Sequence, residues 1–273
     1  MAEMRSMLSD DGTQMLFGMP EDEYRSHPYL AQSDLKKLMW TGELVPLDQN
    51  APGLRMGRLV HGCLEHYLTE GDPAAHRLDG LSSSLCKRAS HALESGLDFI
   101  DERVADDARA EMSLFVHADR FDVSDPELER TYTYPDYARW LPDLLAKRGL
   151  EGIKGRVDCW APSDQAMYDW KLTSERTERG VVSTMKGYGY WIQAVHYLTL
   201  MEACGRRPSR VGYVYVSANS VECVPPIHLN VVMPKDAHVA SAIVRDMKIL
   251  YNKGCRLKTK KIIDLDYEIM PNA

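Results

Sequence analysis

The stretch IKGRVDCWAPSDQAMYDWKLT, residues 153–173, decides how this chain folds. Two runs rich in β-branched and aromatic residues, 153–160 and 166–172, flank Pro162-Ser163-Asp164-Gln165, a segment of turn composition. The pattern predicts a β-hairpin with a four-residue loop, which sets Asp158 directly opposite Asp169. Side chains alternate along a strand, so Lys171 shares the face of Asp169. The other face collects Ile153, Val157, Cys159, Tyr168, Trp170 and Leu172, and this segregation supports the register.

Two carboxylates facing each other across strands repel. A divalent cation between them resolves the conflict, because hard cations such as Mg²⁺ take oxygen ligands. Lys171 would add a compact positive charge for a phosphate oxygen or an attacking water. The alternative is a solvated hairpin face, which explains neither the facing pair nor the lysine two residues on.

Outward from the hairpin, residues 1–20 read as a loosely structured leader and 21–273 as a single domain. Ser33 is placed to cap a helix over 34–40 or to touch a terminal phosphate. The next predicted helix, 54–68, puts His61 and Glu65 at i, i+4 on one face. Residues 82–121 show helical spacing, with Lys87, Arg88 and Arg109 as candidate phosphate contacts or simply solvated charges. A strand is predicted over 127–134 and a helical insertion over 135–149, ended by Gly149. Beyond the hairpin, 173–187 is polar, with Arg176, Arg179 and Lys186. A helix over 188–203 carries Tyr190, Gln193 and Tyr197 at i, i+3, i+7. Strands at 210–217 and 227–233, a helix from 235 to 251, a basic run (Lys258, Lys260, Lys261) and a strand within 262–269 complete the chain.

Composition narrows the class. A chain of 273 residues, 44% hydrophobic and 27% charged, suits a globular protein. A net charge of −7 argues against a passive nucleic-acid coat but not against an enzyme with a locally basic groove. The six cysteines lack metal spacing, so reduced thiols are expected and an iron–sulfur cluster is not. No GxxxxGK[ST] loop announces a nucleotide, no apolar run reaches the ~20 residues of a membrane span, and no signal peptide opens the chain. A cytoplasmic location is the expectation.

The pieces MGRLVHGCLE, GRVD, YDWKLT and YWIQAVHYL, in this order across about residues 30–217, resemble the PD-(D/E)XK nuclease superfamily. The resemblance is to its RecB-type branch, within it the exodeoxyribonuclease VIII and lambda-exonuclease-like enzymes. It implies an α/β (α+β) fold, a central mixed β-sheet flanked by helices. This would be a restriction-endonuclease-like core over about 54–233, with helical N-terminal additions and a C-terminal helix and tail over 234–273.

Carried over by position, the resemblance makes Lys171 the motif lysine and Asp158 and Asp169 the paired ligands. His61 becomes the helical metal contact, and Gln193 and Tyr197 line the site. Glu129 is the first candidate for an upstream acidic ligand, ahead of Glu65 and Glu111, and Trp170 could lend a backbone carbonyl. Val157 stands where the nominal motif has proline. Ser33, Arg156, Arg176 and Lys186 are candidate DNA contacts.

The implied cofactor is one or two Mg²⁺ ions, with Mn²⁺ as a substitute. The implied reaction is phosphodiester hydrolysis from the 5′ end of linear duplex DNA, leaving a 3′ overhang. The implied partners are DNA, other copies in a ring-shaped trimer or tetramer, and a single-strand annealing protein. Competing readings are a single-strand exonuclease, a structure-specific endonuclease, a non-catalytic DNA-binding module and an unrelated α/β scaffold.

Overall fold

The computed structural model describes residues 12–41, 52–122, 124–231, 237–253 and 267–270. The chain opens with β1 (Thr13–Phe17), α1 (Glu21–Ser26), β2 (Leu30–Ala31), α2 (Gln32–Thr41) and α3 (Pro52–Glu70). It continues through α4 (Ser83–Arg103), β3 (Arg109–His117), α5 (Leu128–Thr131) and α6 (Pro135–Arg148) into the hairpin β4 (Gly152–Ala161) and β5 (Ala166–Thr173). Then follow α7 (Glu178–Gly187), α8 (Tyr190–Ala203), β6 (Arg210–Ser217), β7 (Ile227–Val231), α9 (Ala237–Lys253) and β8 (Tyr267–Met270). The strands form one eight-stranded mixed sheet in the order β1-β3-β4-β5-β6-β7-β8, with the short β2 beside β4. The expected class, a mixed sheet flanked by helices, is the observed one.

Helices cover both faces. On one face α2, α6, α8 and α9 bury Leu35, Leu141, Leu198 and Val244 against Val157, Met167, Tyr213 and Leu229. On the other, α3 and α4 bury Val60, Leu64 and Leu93 against Cys159, Tyr168, Trp170 and Val214. α8 lies in the interior, and its residues from Trp191 to Ala203 are all buried. A helix apolar all round is one that has no solvent face.

The hairpin register is the predicted one, with Cys159–Tyr168, Trp160–Met167 and Ala161–Ala166 as partners. The ladder then stops where Asp158 would meet Asp169. On the same edge β4 pairs with β2 only at Ile153 and Lys154, while its other edge follows β3 along nearly its whole length. Residues 155–158 therefore line a slot in the sheet, and α8 fills it. Tyr197 Oη donates to the Arg156 carbonyl at 2.6 Å. Gly155 is required here, since a Cβ would stand 2.6 Å from Leu200 and 3.0 Å from Tyr197.

The slot corrects one expectation about faces. Ile153 and Val157 pack against α8, whereas Cys159, Tyr168 and Trp170 pack against α3 and α4. Alternation slips at Asp158, so the predicted single apolar face is divided between two layers.

Other boundaries also move. Residues 13–17, expected in a leader, form an edge strand along β3. The helical reading of 82–121 holds only to Arg103. After it, β3 buries Met112, Leu114, Phe115 and Val116, a run covered on both faces and so without clean alternation. The strand expected at 127–134 is instead the single turn α5. The polar segment 173–187 is ordered into α7 by a Thr177 cap, whose hydroxyl accepts from Gly180 N at 3.2 Å, and by buried Val181 and Met185. The helix α2 starts at Gln32, so Ser33 sits inside its first turn rather than ahead of it. The loop after Gly42, the Lys258–Lys261 run and the start of the final predicted strand lie outside the described residues.

Candidate active site

The slot between β4 and β5 gathers charged side chains at a place where the backbone leaves donors and acceptors unmatched. Asp158 replaces the missing ladder bond: its Oδ2 accepts from Trp170 N at 2.9 Å. Asp169, on the α8 side of β5, is only 3% exposed. It accepts from Gln193 Nε2 of α8 and is ion-paired with Lys171. Lys171 Nζ also lies 4.7 Å from the centre of the Tyr190 ring and 5.7 Å from that of Tyr213.

From the opposite layer, α3 brings His61, whose Nδ1 is 3.4 Å from Asp158 Oδ2. One turn on, Glu65 joins them. Single ligand atoms of His61, Glu65 and Asp158 all lie within 4.8 Å of one another, making these three a group that could hold a metal ion.

The electrostatics follow from burial. Burial, then the facing charge of Asp169, pushes the Asp158 carboxyl well above the usual carboxylate range. Burial and the nearby Lys171 lower His61 to about 4, so its imidazole is neutral at physiological pH. Burial pulls Lys171 down, but Asp169, Tyr190 and Asp158 together more than offset it, so its pKa is raised and the ammonium stays charged. A neutral imidazole beside two carboxylates, one of them reluctant to ionise alone, is a donor set that suits a divalent cation. The residues present thus fit the metal their spacing implied.

The predicted residues divide into three groups. Brought together are Asp158, Asp169, Lys171, His61 and Gln193. Trp170 contributes through its backbone, with its N–H on Asp158 and a further backbone hydrogen bond to His61. Tyr197 adjoins the site, but its hydroxyl is committed to the Arg156 carbonyl.

Glu129 is overturned as a ligand. It lies on α5, its side chain 59% exposed, and is ion-paired with Arg139 of α6. The strand that precedes GRVD is β3, not residues 127–134, and Glu65 of α3 takes the nearby position instead. Glu111 belongs to β3, between the pairs Ala110–Cys159 and Met112–Val157, and its side chain lies outside the described residues.

Among the candidate DNA contacts, Arg156 stands over the Tyr24 ring at 5.8 Å. Arg176 donates to Asn219 Oδ1 at 2.8 Å. Lys186 falls in the last turn of α7. Beside Glu65 the site opens onto a cleft of about 690 Å³ lined in part by Phe17, Gly62, Arg77 and Arg109.

Sequence reasoning missed Lys36 of α2. It is 9% exposed, and its Nζ lies 4.9 Å from the centre of the same Tyr190 ring that carries Lys171. Its spacing is that of an ordinary helical lysine, and no local pattern distinguishes it from Lys37.

The family model of the PD-(D/E)XK nuclease superfamily matches residues 30–271. The chain belongs to the PD-(D/E)XK nuclease superfamily. Its members are hydrolytic nucleases that use divalent metals. Among solved structures, a phage related exonuclease from Haemophilus somnus 129PT is 11% identical, over 85% of this chain and 94% of its own, with a TM-score of 0.32. The protein SSO0001 is 12% identical, over 84% and 81%, with a TM-score of 0.33. None of the curated proteins compared matches the chain. No helix among the described residues is long and apolar enough to cross a membrane.

Proposed function

We propose that this nuclease is a divalent-metal-dependent DNA exonuclease that degrades the 5′-ended strand of linear duplex DNA and leaves a 3′ overhang. The observation that carries the nuclease chemistry is the interrupted β4–β5 ladder. There Asp158 and Asp169 converge with Lys171, and α3 adds His61 and Glu65 across the gap. Polarity and end preference rest on the resemblance of the four sequence pieces to the exonuclease branch.

Asp158, His61 and Glu65 would hold a Mg²⁺ ion, with Asp169 available for the same or a second one; Mn²⁺ would substitute. When bound, such a cation polarises the phosphoryl group and lowers the pKa of water. The chain's own part is positional. Lys171 places an ammonium beside the carboxylates, where it stabilises the charge that develops on the phosphoryl oxygens during hydrolysis. Gln193 fixes the Asp169 carboxylate, and Tyr197 holds the Arg156 carbonyl so that the slot keeps its width. Trp170 N–H orients Asp158. The cleft beside Glu65, with Arg77 and Arg109 on its wall, provides a route for a polyanion.

A ring-shaped trimer or tetramer, a single-strand annealing partner and a cytoplasmic setting belong to the same proposal. Light scattering of the purified protein addresses the first of these. The deciding experiment is digestion of a linear duplex labelled separately at each 5′ end and each 3′ end, with Mg²⁺ or with EDTA. Metal-dependent release of 5′-terminal label, with covalently closed circles left intact, is the expected outcome. Cutting of closed circles, or release from the 3′ end first, would sink the exonuclease assignment and its polarity respectively.

A further inference from the structure

Two lysines converge on one aromatic ring beside the carboxylate pair: Lys171 Nζ lies 4.7 Å and Lys36 Nζ 4.9 Å from the centre of Tyr190. Lys171 is matched by Asp169. Lys36, arriving from α2, is nine-tenths buried and rests on the ring of Tyr190; among the described residues no hydrogen bond or ion pair holds its ammonium, and the carboxylate charge that reaches it, Asp169, is already paired with Lys171. Burying an unpaired ammonium is unfavourable, and an aromatic face compensates only partly. Packing alone would be better served by Met or Leu at this position. The two lysines also oppose each other: burial, then the charge of Lys171, lowers Lys36 to about 7, and the attraction of Asp169 offsets only part of this. An anion placed beside Tyr190 would relieve both costs. Ser33, one turn earlier on α2, shares the helix face of Lys36 and could add a hydroxyl donor.

We propose that the ammonium group of Lys36 binds a phosphate oxygen of the DNA strand next to the carboxylate pair, so that Lys36 from α2 and Lys171 from β5 hold the backbone together. This rests on the nuclease reading and adds to it a second lysine that touches substrate. The phosphate is either the terminal 5′ phosphate or an internal phosphodiester.

The test measures the affinity of the full chain for a short fluorescent duplex in EDTA across a salt series. It compares wild type, Lys36→Met and Lys36→Arg, each on 5′-phosphorylated and 5′-hydroxyl DNA. Loss of one phosphate contact should weaken binding of Lys36→Met about tenfold at low salt. It should also flatten the log Kd against log salt slope by about 0.7–0.9. Lys36→Arg should keep the wild-type slope.

An effect confined to phosphorylated ends assigns the terminal phosphate, and an effect on both assigns an internal one. Lys36→Met should melt no lower than wild type, since it removes a buried unpaired charge. Unchanged affinity and slope in Lys36→Met would overturn the assignment. So would a lowered melting temperature or a Lys36→Arg variant as weak as Lys36→Met, because both mark a packing role. Wild type is assayed for Mg²⁺-dependent cleavage in the same preparation. If wild type cleaves and Lys36→Met behaves identically, only this inference fails. If wild type neither binds nor cleaves, the nuclease reading fails with it.

Discussion

Two regions of this fold each bury a lysine, and they treat it in opposite ways. At the end of β4 nearest α1, Lys154 is 4% exposed, and its ammonium donates to the carbonyls of Tyr24 at 2.8 Å, His27 at 2.5 Å and Arg25 at 3.3 Å. Burial lowers it only to about 8. At the slot, Lys36 has an aromatic ring, a like charge and an Asp169 carboxylate already paired with Lys171 for company. Burial of a charge therefore does not by itself mark a site. Three carbonyls saturate Lys154 and make it a bolt between α1 and the sheet. Lys36, with no hydrogen-bond acceptor among the described residues, is the lysine proposed to meet a ligand.

The histidines repeat the contrast. His196 of α8 and His61 of α3 are both lowered to about 4 by burial. His196 is satisfied by neutral partners: its Nε2 donates to the Lys154 carbonyl at 2.9 Å, and Tyr137 Oη donates to its Nδ1 at 2.8 Å. His61 faces Asp158 and Glu65.

The comparison can be broken by substitution. The largest effect is expected at the matched lysine of the slot. Lys171→Ala should lower Mg²⁺-dependent cleavage by ~10²–10³-fold in protein that still folds, and should lower the melting temperature because buried Asp169 loses its partner. Wild-type cleavage by that variant would remove the slot's claim to the chemistry.

Next comes the saturated lysine. Lys154→Met strands three buried carbonyls and should cost about 2–3 kcal/mol in denaturant unfolding, with specific activity of the folded protein unchanged. A variant as stable as wild type would show that the carbonyls were never a structural clamp, and the contrast with Lys36 would vanish.

A third prediction concerns pH. His196 has a folded pKa of about 4 against an ordinary 6.5. Between those values the unfolded chain binds the proton and the folded chain does not. The stability due to neutral His196 is therefore full above pH 6.5 and drains as pH falls towards 4, by up to about 3 kcal/mol. His196→Gln should flatten the pH dependence of unfolding in that window; an unaltered profile would mean that His196 charges freely. The smallest effect is expected at Glu129, whose ion pair with Arg139 is exposed. Glu129→Gln should change stability by less than about 1 kcal/mol and cleavage not at all. A large loss of cleavage would restore it as a ligand.

Much of this was legible locally. The hairpin and its register were readable because two strands flank a turn whose length sets the pairing. The i, i+4 placement of His61 and Glu65 follows from helix geometry alone, and so does the continuity of α8. β3 was hidden because a strand covered on both faces loses its period-two signal. Placing the strand before GRVD at 127–134 then carried the upstream ligand to Glu129, on the wrong element. Lys36 carried no signal, since a lysine in a helix is expected in water.

What the chain's residues determined by themselves is the chemistry: two aspartates and a lysine in one hairpin, with a histidine and glutamate one helical turn apart. That is so because strand and helix periods act over a few residues. What only the tertiary structure decided is the slot, where the ladder breaks, α8 takes over the bonds of a missing strand, and α2 and α3 deliver Lys36 and Glu65 to the same place. Those meetings join residues far apart in the sequence: 93 positions separate Glu65 from Asp158, and 135 separate Lys36 from Lys171. They depend on how helices pack on a twisted sheet, which no local pattern encodes.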